Sequence, residues 1–283
     1  NKFSSTYRKS LDSNNIVITG SSGKTSVKEL TGFCLKKLDK TYYSKNSFNN
    51  KYGVPLSILN SPQSTKFSVL EVGMDKKGEI DSLTKLIRPN LGLITNISYA
   101  HIKNFKNLNE IAKAKGEIIN NIFPSGVMII NKDDKFCNYF LSRAKMRNLN
   151  IITFSKKNKL ADVVYLGQKK NRNEYLCKFL IKAKIKFFAI PEHLINYKEN
   201  ILSTLSIISS YFNIDELPTS LFLNFEIPKS RGSIVNYNRG KKKITIIDES
   251  YNSNPLSFKF ALEKFDKSYK DSKKKFILIG NML

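Results

Sequence analysis

Short apolar runs alternate with amphipathic stretches along the first half of the chain. Five of these runs contain almost no polar positions, as expected for β-strands covered on both faces: 16–19, 68–72, 91–95, 127–130 and 151–154. Apolar residues at helical spacing predict helices between them, near 24–38, 78–87, 108–122 and 137–147. Strands that alternate with helices are typical of a doubly wound, mainly parallel α/β sheet.

The pattern changes after about residue 160. Three strand-like segments without intervening helices predict a small antiparallel annex, at 162–166, 174–181 and 185–190, and a helix is expected at 199–212. A connection over 217–229 leads to a strand at 243–248, a helix at 255–270 and a strand at 275–280. We interpret this last part as the start of a second, Rossmann-like α/β domain.

The first predicted strand ends in a glycine- and serine-rich loop that opens the next helix. Gly20 and Gly23 allow backbone N–H groups to turn toward an anion, Lys24 adds a positive charge, and the Thr25 hydroxyl can bind Mg²⁺. Only two residues separate the glycines, where the common phosphate loop has four. A loop of this kind is often only a turn, but the flanking strand and helix favour binding of a nucleoside triphosphate.

Polar residues also follow other predicted strands. Glu71 ends the second strand and is placed to bind Mg²⁺ beside a phosphate loop, with a helix cap or loop salt bridge as the alternative. His101 follows the third strand, where the alternative is a surface histidine. Asp248 and Glu249 are adjacent carboxylates that turn chemistry alone does not explain. Lys115 lies in a helical stretch whose lysines are solvated by default.

Composition limits the class of protein. The formal charge of +25 comes from 48 Lys and Arg against 23 Asp and Glu, but the lysines are spread along all 283 residues, which favours coding bias over nucleic-acid binding. Three distant cysteines argue against a disulfide framework or zinc site and favour a reducing cytoplasm. We find no signal peptide and no apolar run as long as a membrane span. The chain starts without Met and stops directly after an apolar run, so we expect a piece of a longer protein.

Six segments in order resemble the motifs of the ATP-dependent Mur ligases: 19–25, 46–55, 71–74, 95–101, 114–118 and 248–255. Each motif is weak alone, whereas the ordered set is specific to the family. The resemblance covers nearly the whole chain. It implies ATP and Mg²⁺ as cofactors and a three-domain enzyme, of which 1–12 are the tail of a UDP-substrate domain, 13–226 the central ATPase domain and 227–283 the start of the C-terminal ligase domain.

The family pattern also implies roles for individual residues. The loop that cradles the nucleotide phosphates would comprise Gly20, Ser21, Ser22, Gly23, Lys24, Thr25 and Ser26. Lys24 would contact the β- and γ-phosphates, and Thr25 would bind one Mg²⁺. Glu71 and His101 match metal ligands. Lys115 matches the lysine that family members carbamylate with CO₂, which supports a second metal ion.

Three further positions match residues around the nucleotide. Asn200 resembles the residue that meets adenine, although His193 lies seven positions before it and the family usually has the two closer. Arg231 matches an arginine that reaches the γ-phosphate, and Glu249 a carboxylate on the ribose.

The element Glu-Ser-Tyr-Asn-x-Asn-Pro resembles that of the family member that adds D-alanyl-D-alanine to a UDP-N-acetylmuramoyl-tripeptide. The resemblance implies an acyl-phosphate intermediate. We therefore expect a cytoplasmic, monomeric enzyme of peptidoglycan synthesis with no specific nucleic-acid partner and no membrane insertion. The alternatives are an amino-acid-adding Mur ligase, a folylpolyglutamate synthase-like enzyme, a basic nucleic-acid-binding NTPase and a non-catalytic homologue.

Overall fold

The computed structural model describes residues 2–99, 104–172, 174–240, 242–251, 253, 255–269 and 274–280. The chain divides into two compact units, the first ending at Phe225 and the second starting at Glu226. His101, Asn252 and Asn254, which the sequence analysis singled out, lie outside the described residues.

The first unit is built on one nine-stranded sheet with the strand order β2-β3-β1-β4-β5-β6-β7-β8-β9. The strands are β1 Asn14–Thr19, β2 Thr41–Tyr43, β3 Phe67–Glu71, β4 Leu91–Ile94, β5 Val127–Asn131, β6 Asn150–Ser155, β7 Val163–Asn171, β8 Glu174–Ile181 and β9 Lys184–Pro191. All pairs from β2 through β7 are parallel, and β7, β8 and β9 pair antiparallel. The expected annex is therefore a continuation of the main sheet.

Helices cover this sheet. They are α1 Lys2–Ser10, α2 Lys24–Lys36, α3 Gly53–Leu59, α4 Glu79–Ile87, α5 Leu108–Lys115, α6 Cys137–Met146 and α7 Lys198–Ile208, and α5 continues directly into a 3-10 turn at Gly116–Asn121. The core strand β1 shows why the apolar runs predict the sheet: Ile16, Val17 and Ile18 have no exposed surface.

The register of the central strands positions the site. Ile18 of β1 pairs with Glu71 of β3, and Thr19 pairs with Ile94 of β4. The loop after β1 therefore emerges between the carboxyl ends of its two neighbours, where ligands of open α/β sheets bind. None of the described helices combines the length and apolar character needed to cross a membrane.

The second unit contains an antiparallel hairpin of β10 Ser233–Arg239 and β11 Lys242–Asp248, followed by α8 Pro255–Ser268. The expected strand at 275–280 is not formed, since no described residue pairs with it and its Leu278 is 102% exposed. A strand needs a hydrogen-bonding partner as well as an apolar sequence. The hairpin strand β10 was missed because its residues carry no continuous apolar run.

Candidate functional site

At two positions of the loop between β1 and α2, the backbone has a conformation that only glycine adopts without strain. Gly20 has φ of 148° and Gly23 has φ of 78°. A Cβ atom on Gly20 would lie 1.8 Å from Thr95 Oγ1, so a side chain is also excluded by contact. The two glycines of the motif are thus required by the path of the loop.

The N-terminus of α2 provides an anion site. The helix ladder starts where Val27 N donates to Gly23 O at 2.9 Å, so the N–H groups of residues 24–26 have no acceptor within the helix. In the described part of the chain no side chain caps α2, and its first turn has no acidic residue. Lys24 Nζ donates to Gly20 O at 2.9 Å, which holds its ammonium group over the loop.

The segment 95–98, which follows β4, braces the loop from one side. Ser21 N donates to Asn96 O at 2.9 Å, and Ser22 N donates to Asn96 Oδ1 at 3.1 Å. Thr95 Oγ1 donates to Ser22 O at 2.6 Å. Ser21 Oγ donates to Ser98 O and accepts from Ser98 N, both at 2.9 Å. The Thr-Asn motif after β4 therefore fixes the conformation of the phosphate-type loop.

Thr25 and Glu71 form an oxygen-rich pair beside the loop. Thr25 Oγ1 donates to Glu71 Oε2 at 2.5 Å, and Asn49 Nδ2 donates to Glu71 Oε1 at 2.7 Å. Ser47 Oγ lies 3.3 Å from Thr25 Oγ1. Glu71 is 1% exposed, and buried carboxylates are paired or bind metals. Hydroxyl and carboxylate oxygens are the ligands that Mg²⁺ prefers, so this donor set fits that ion.

Lys115 is buried next to this pair, contrary to the default expectation for a lysine of an amphipathic helix. It is 1% exposed at the end of α5. Burial lowers the pKa of Lys115 well below the usual lysine value, the positive charge of Lys24 lowers this pKa further, and the charge of Glu71 acts in the opposite direction. The structure thus brings Lys24, Glu71 and Lys115 together.

Asn200 borders the same loop. It lies in the first turn of α7, and a Cβ atom on Gly23 would be 3.5 Å from Asn200 Oδ1. Ser26 is half-buried in the first turn of α2. His193 Nε2 lies 2.8 Å from Phe225 O, a contact that tethers a 3-10 turn.

Arg231 belongs to the second unit, where its guanidinium group stacks 3.9 Å from the ring centre of Tyr251. Tyr251 N donates to Ser230 O at 3.1 Å, which places the two residues side by side.

Glu249 lies in the same unit as Arg231 and close to it. Burial raises the pKa of Glu249, the charges of Lys264 and Arg231 lower it, and the charge of Asp248 raises it. Asp248 is half-buried and accepts from Ser230 Oγ at 2.9 Å and from Ser250 N at 3.0 Å. The hydrogen bonds from Ser250 and Ser230 lower the pKa of Asp248.

Ser47 and Asn49 were not singled out from the sequence as site residues. They lie within the matched segment 46–55, but an Asn-rich stretch before a helix reads as a turn. Only the parallel pairing of β2 with β3 brings this stretch to the end of β3, where Glu71 lies. That pairing involves three residues of β2, too few to predict from periodicity.

The chain is similar to proteins of one known family. Residues 18–207 match the family model of the Mur ligase middle domain. The chain is 32% identical over 273 residues to a UDP-N-acetylmuramoyl-tripeptide–D-alanyl-D-alanine ligase of Rickettsia prowazekii, covering 95% of this chain and 58% of that protein. It is 30% identical to the ligase of that name from Bacillus subtilis, covering 98% of this chain and again 58% of the relative.

The fold agrees with a solved structure. The crystal structure of MurF from Acinetobacter baumannii superposes with a TM-score of 0.80 at 26% identity, covering 92% of this chain and 56% of that one. This chain therefore spans little more than half the length of the proteins that it resembles.

Proposed function

The chain belongs to the Mur ligase family, and we propose that it is the ATP-using part of a ligase that joins D-alanyl-D-alanine to a UDP-N-acetylmuramoyl-tripeptide. The observation that carries this proposal is the convergence of Lys24, Thr25, Glu71 and Lys115 at one end of the sheet. The name shared by the relatives that match nearly the whole chain supports this member of the family over an amino-acid-adding ligase.

In the proposed reaction, an oxygen of the acceptor carboxylate attacks the γ-phosphorus of ATP. The bond from that phosphorus to the bridging oxygen breaks, and ADP leaves with its electron pair. The open N–H groups of α2 and the ammonium group of Lys24 bind the phosphates and offset the negative charge that develops. Thr25 and Glu71 would hold Mg²⁺, which supplies further charge neutralisation at the phosphate oxygens when bound.

In the second half-reaction, the dipeptide amine attacks the acyl carbon, the carbon–oxygen bond to phosphate breaks, and the amine loses a proton. The product is an amide and inorganic phosphate. This step needs no covalent nucleophile from the protein, because positioning of the two reactants supplies most of the acceleration.

The remaining site residues enter this proposal from the family resemblance. Asn200 would contact adenine, and its position beside Gly23 is consistent with that role. Arg231 would reach the γ-phosphate, Glu249 the ribose, and His101 a metal ion. We also propose the division into 1–12, 13–226 and 227–283, a cytoplasmic location and a monomeric enzyme.

Carbamylation of Lys115 is the second part of the proposal. A lowered pKa increases the fraction of Lys115 that carries a neutral amine, and only a neutral amine can attack CO₂. The nitrogen forms a bond to the carbon of CO₂ and loses a proton to solvent, so a buried amine becomes an anion. An anion at this position would support a second Mg²⁺ near Glu71 and offset the positive charge of Lys24.

A rescue experiment tests this role of Lys115. We expect Lys115→Ala to lower ligase activity by orders of magnitude, and a small carboxylic acid at high concentration to restore part of the rate by supplying the missing oxygen ligands. Lys113→Ala is the matched control, since Lys113 is exposed on the same helix. Near-normal activity of Lys115→Ala without added acid would contradict the carbamate.

The identity of the amine substrate is tested with the full-length protein that contains these 283 residues. ADP release is measured with UDP-N-acetylmuramoyl-tripeptide as acceptor and either D-alanyl-D-alanine or free amino acids as the amine, and the amide product is identified by mass spectrometry. We expect turnover and product with the dipeptide. Turnover with a free amino acid instead would favour another member of the family.

A further inference from the structure

Lys28 is a buried lysine that the proposed reaction does not use. It lies in α2, three residues after Thr25 and therefore on the same side of the helix, and it has no exposed surface. Its ammonium group donates to the carbonyl oxygens of Ser44 and Asn46 and forms an ion pair of 2.8 Å with Glu29 Oε1. A buried charge is stable only when it is paired in this way.

The two carbonyl groups belong to a segment that reaches the metal-binding pair. We call residues 44–49, between β2 and α3, the Lys28 segment. Asn46 has φ of 48°, an unusual conformation for a residue other than glycine. In the next residue, Ser47, Oγ lies 3.3 Å from Thr25 Oγ1, and two residues later Asn49 Nδ2 donates to Glu71 Oε1 at 2.7 Å.

The far end of the Lys28 segment is attached to the strand that carries Glu71. Gly73 N donates to Asn49 O at 2.8 Å, two residues beyond Glu71. A Cβ atom on Gly73 would lie 3.1 Å from Asn49 Cγ, so these two segments of the backbone are in close contact. The segment thus spans the distance from Lys28 to Glu71. Its near end is held by the ammonium group and by Ser44 N, which donates to Val69 O of β3 at 3.1 Å, and its far end is held by Gly73, just after β3.

We propose that Lys28 is a positioning residue for the oxygen pair of Thr25 and Glu71. It fixes the carbonyl groups of Ser44 and Asn46, and the segment in turn aims Ser47 and Asn49 at that pair. The consequence for Mg²⁺ rests on the proposed function. The phosphate loop depends on a different brace, residues 95–98, so Lys28 should affect metal binding and leave metal-free nucleotide binding unchanged.

The first test separates these two effects. ATP affinity of the 283-residue chain is measured by calorimetry with and without Mg²⁺, for wild type, Lys28→Met and the control Lys36→Met, whose lysine is exposed on the same helix. We expect Lys28→Met to lower the gain in affinity from Mg²⁺ about tenfold, as losses of supporting residues around metal sites do, with metal-free affinity unchanged. An unchanged gain, or equal weakening with and without Mg²⁺, would overturn the proposal.

A second test needs no nucleotide. Hydrogen exchange of the backbone amides in the Lys28 segment should be faster in Lys28→Met than in wild type, while exchange in residues 20–26 stays the same. Unchanged exchange in the segment would refute the positioning role of Lys28, whether or not the wild-type chain binds ATP. A wild-type chain that binds no ATP would refute the proposed function and leave the positioning role to be decided by the exchange measurement. If Lys28→Met does not fold, Lys28→Gln, which keeps one amide donor, is measured in the same way with a smaller effect expected in the same direction.

Discussion

The site contains ionisable side chains that are buried away from water, and Lys115 is the clearest case. Its neighbours Ala112 and Ala114 are buried, whereas Lys113 is exposed. The sequence does not distinguish Lys113 from Lys115, because both lie in the last turn of a short helix between small residues. Burial of Lys115 results from its position at the junction with the 3-10 turn, next to the end of β3, and only the folded chain brings these together.

The burial of Lys115 predicts a pH-dependent stability. Burial lowers the pKa of Lys115 in the native state, so between the native and the unfolded pKa the unfolded chain binds more protons, and stability rises with pH up to about the ordinary value of 10.5. We expect Lys115→Met to be more stable than wild type at pH 7 by roughly 1–3 kcal/mol, the usual cost of moving a polar group out of water. The difference should shrink as the pH rises.

Urea unfolding in bicarbonate-free buffer at several pH values checks this result, with Lys113→Met as the control. A wild type that is more stable than Lys115→Met at pH 7, or a difference that does not change with pH, would contradict the lowered pKa of Lys115.

At the scale of elements, the loop between β1 and α2 is held by contact with the next strand end. Gly20 combines a positive φ with a Cβ position 1.8 Å from Thr95 Oγ1. Gly167 has a similar φ of 151°, but a Cβ there meets no atom within 4 Å. A comparison of substitutions at Gly20 and Gly167 therefore distinguishes the cost of backbone strain from the cost of steric contact.

We expect Gly20→Ala to lower the free energy of unfolding by roughly 2–4 kcal/mol, because it adds overpacking to strain, and to weaken ATP binding. Gly167→Ala should show only the strain, about 1–2 kcal/mol, with ATP affinity unchanged. Denaturant unfolding and calorimetry measure both quantities. Equal losses of stability in the two variants would mean that the contact with Thr95 does not constrain the loop.

The elements also show how far the sequence predicts the fold. Central strands such as β1 were predicted because they are buried on both faces and therefore apolar throughout. The edge strand β2 has three half-buried residues, and no periodic pattern can develop over so short a run. The residues 275–280 have a strand-like sequence but no described pairing partner. Glu71 and the loop were located correctly because strand ends can be read from the chain, whereas the contacts of Asn49 depend on tertiary pairing.

At the scale of the whole molecule, the charge of +25 is the dominant property. Several exposed lysines pair with nearby carboxylates, as Lys156 does with Glu199 and Lys170 with Glu192. Part of the positive charge therefore has a carboxylate counter-charge nearby, and the excess of 25 does not. We expect any binding of nucleic acid to be independent of sequence and to fall steeply between about 50 and about 200 mM salt.

Fluorescence anisotropy with two unrelated duplexes and one single-stranded RNA of equal length tests this expectation. Tight binding to one of them at physiological salt would instead support a nucleic-acid function for this chain.

The most direct test of a nucleotide site at the β1–α2 loop is a calorimetric titration of Mg-ATP into the chain and its Lys24→Met variant. Loss of a charged hydrogen-bond donor to phosphate costs roughly 1.5–3 kcal/mol, so we expect affinity to fall about tenfold to a hundredfold. The exposed Lys36→Met on the same helix should bind as wild type does. Equal affinity of Lys24→Met and wild type would contradict the assignment of this loop to the ATP phosphates.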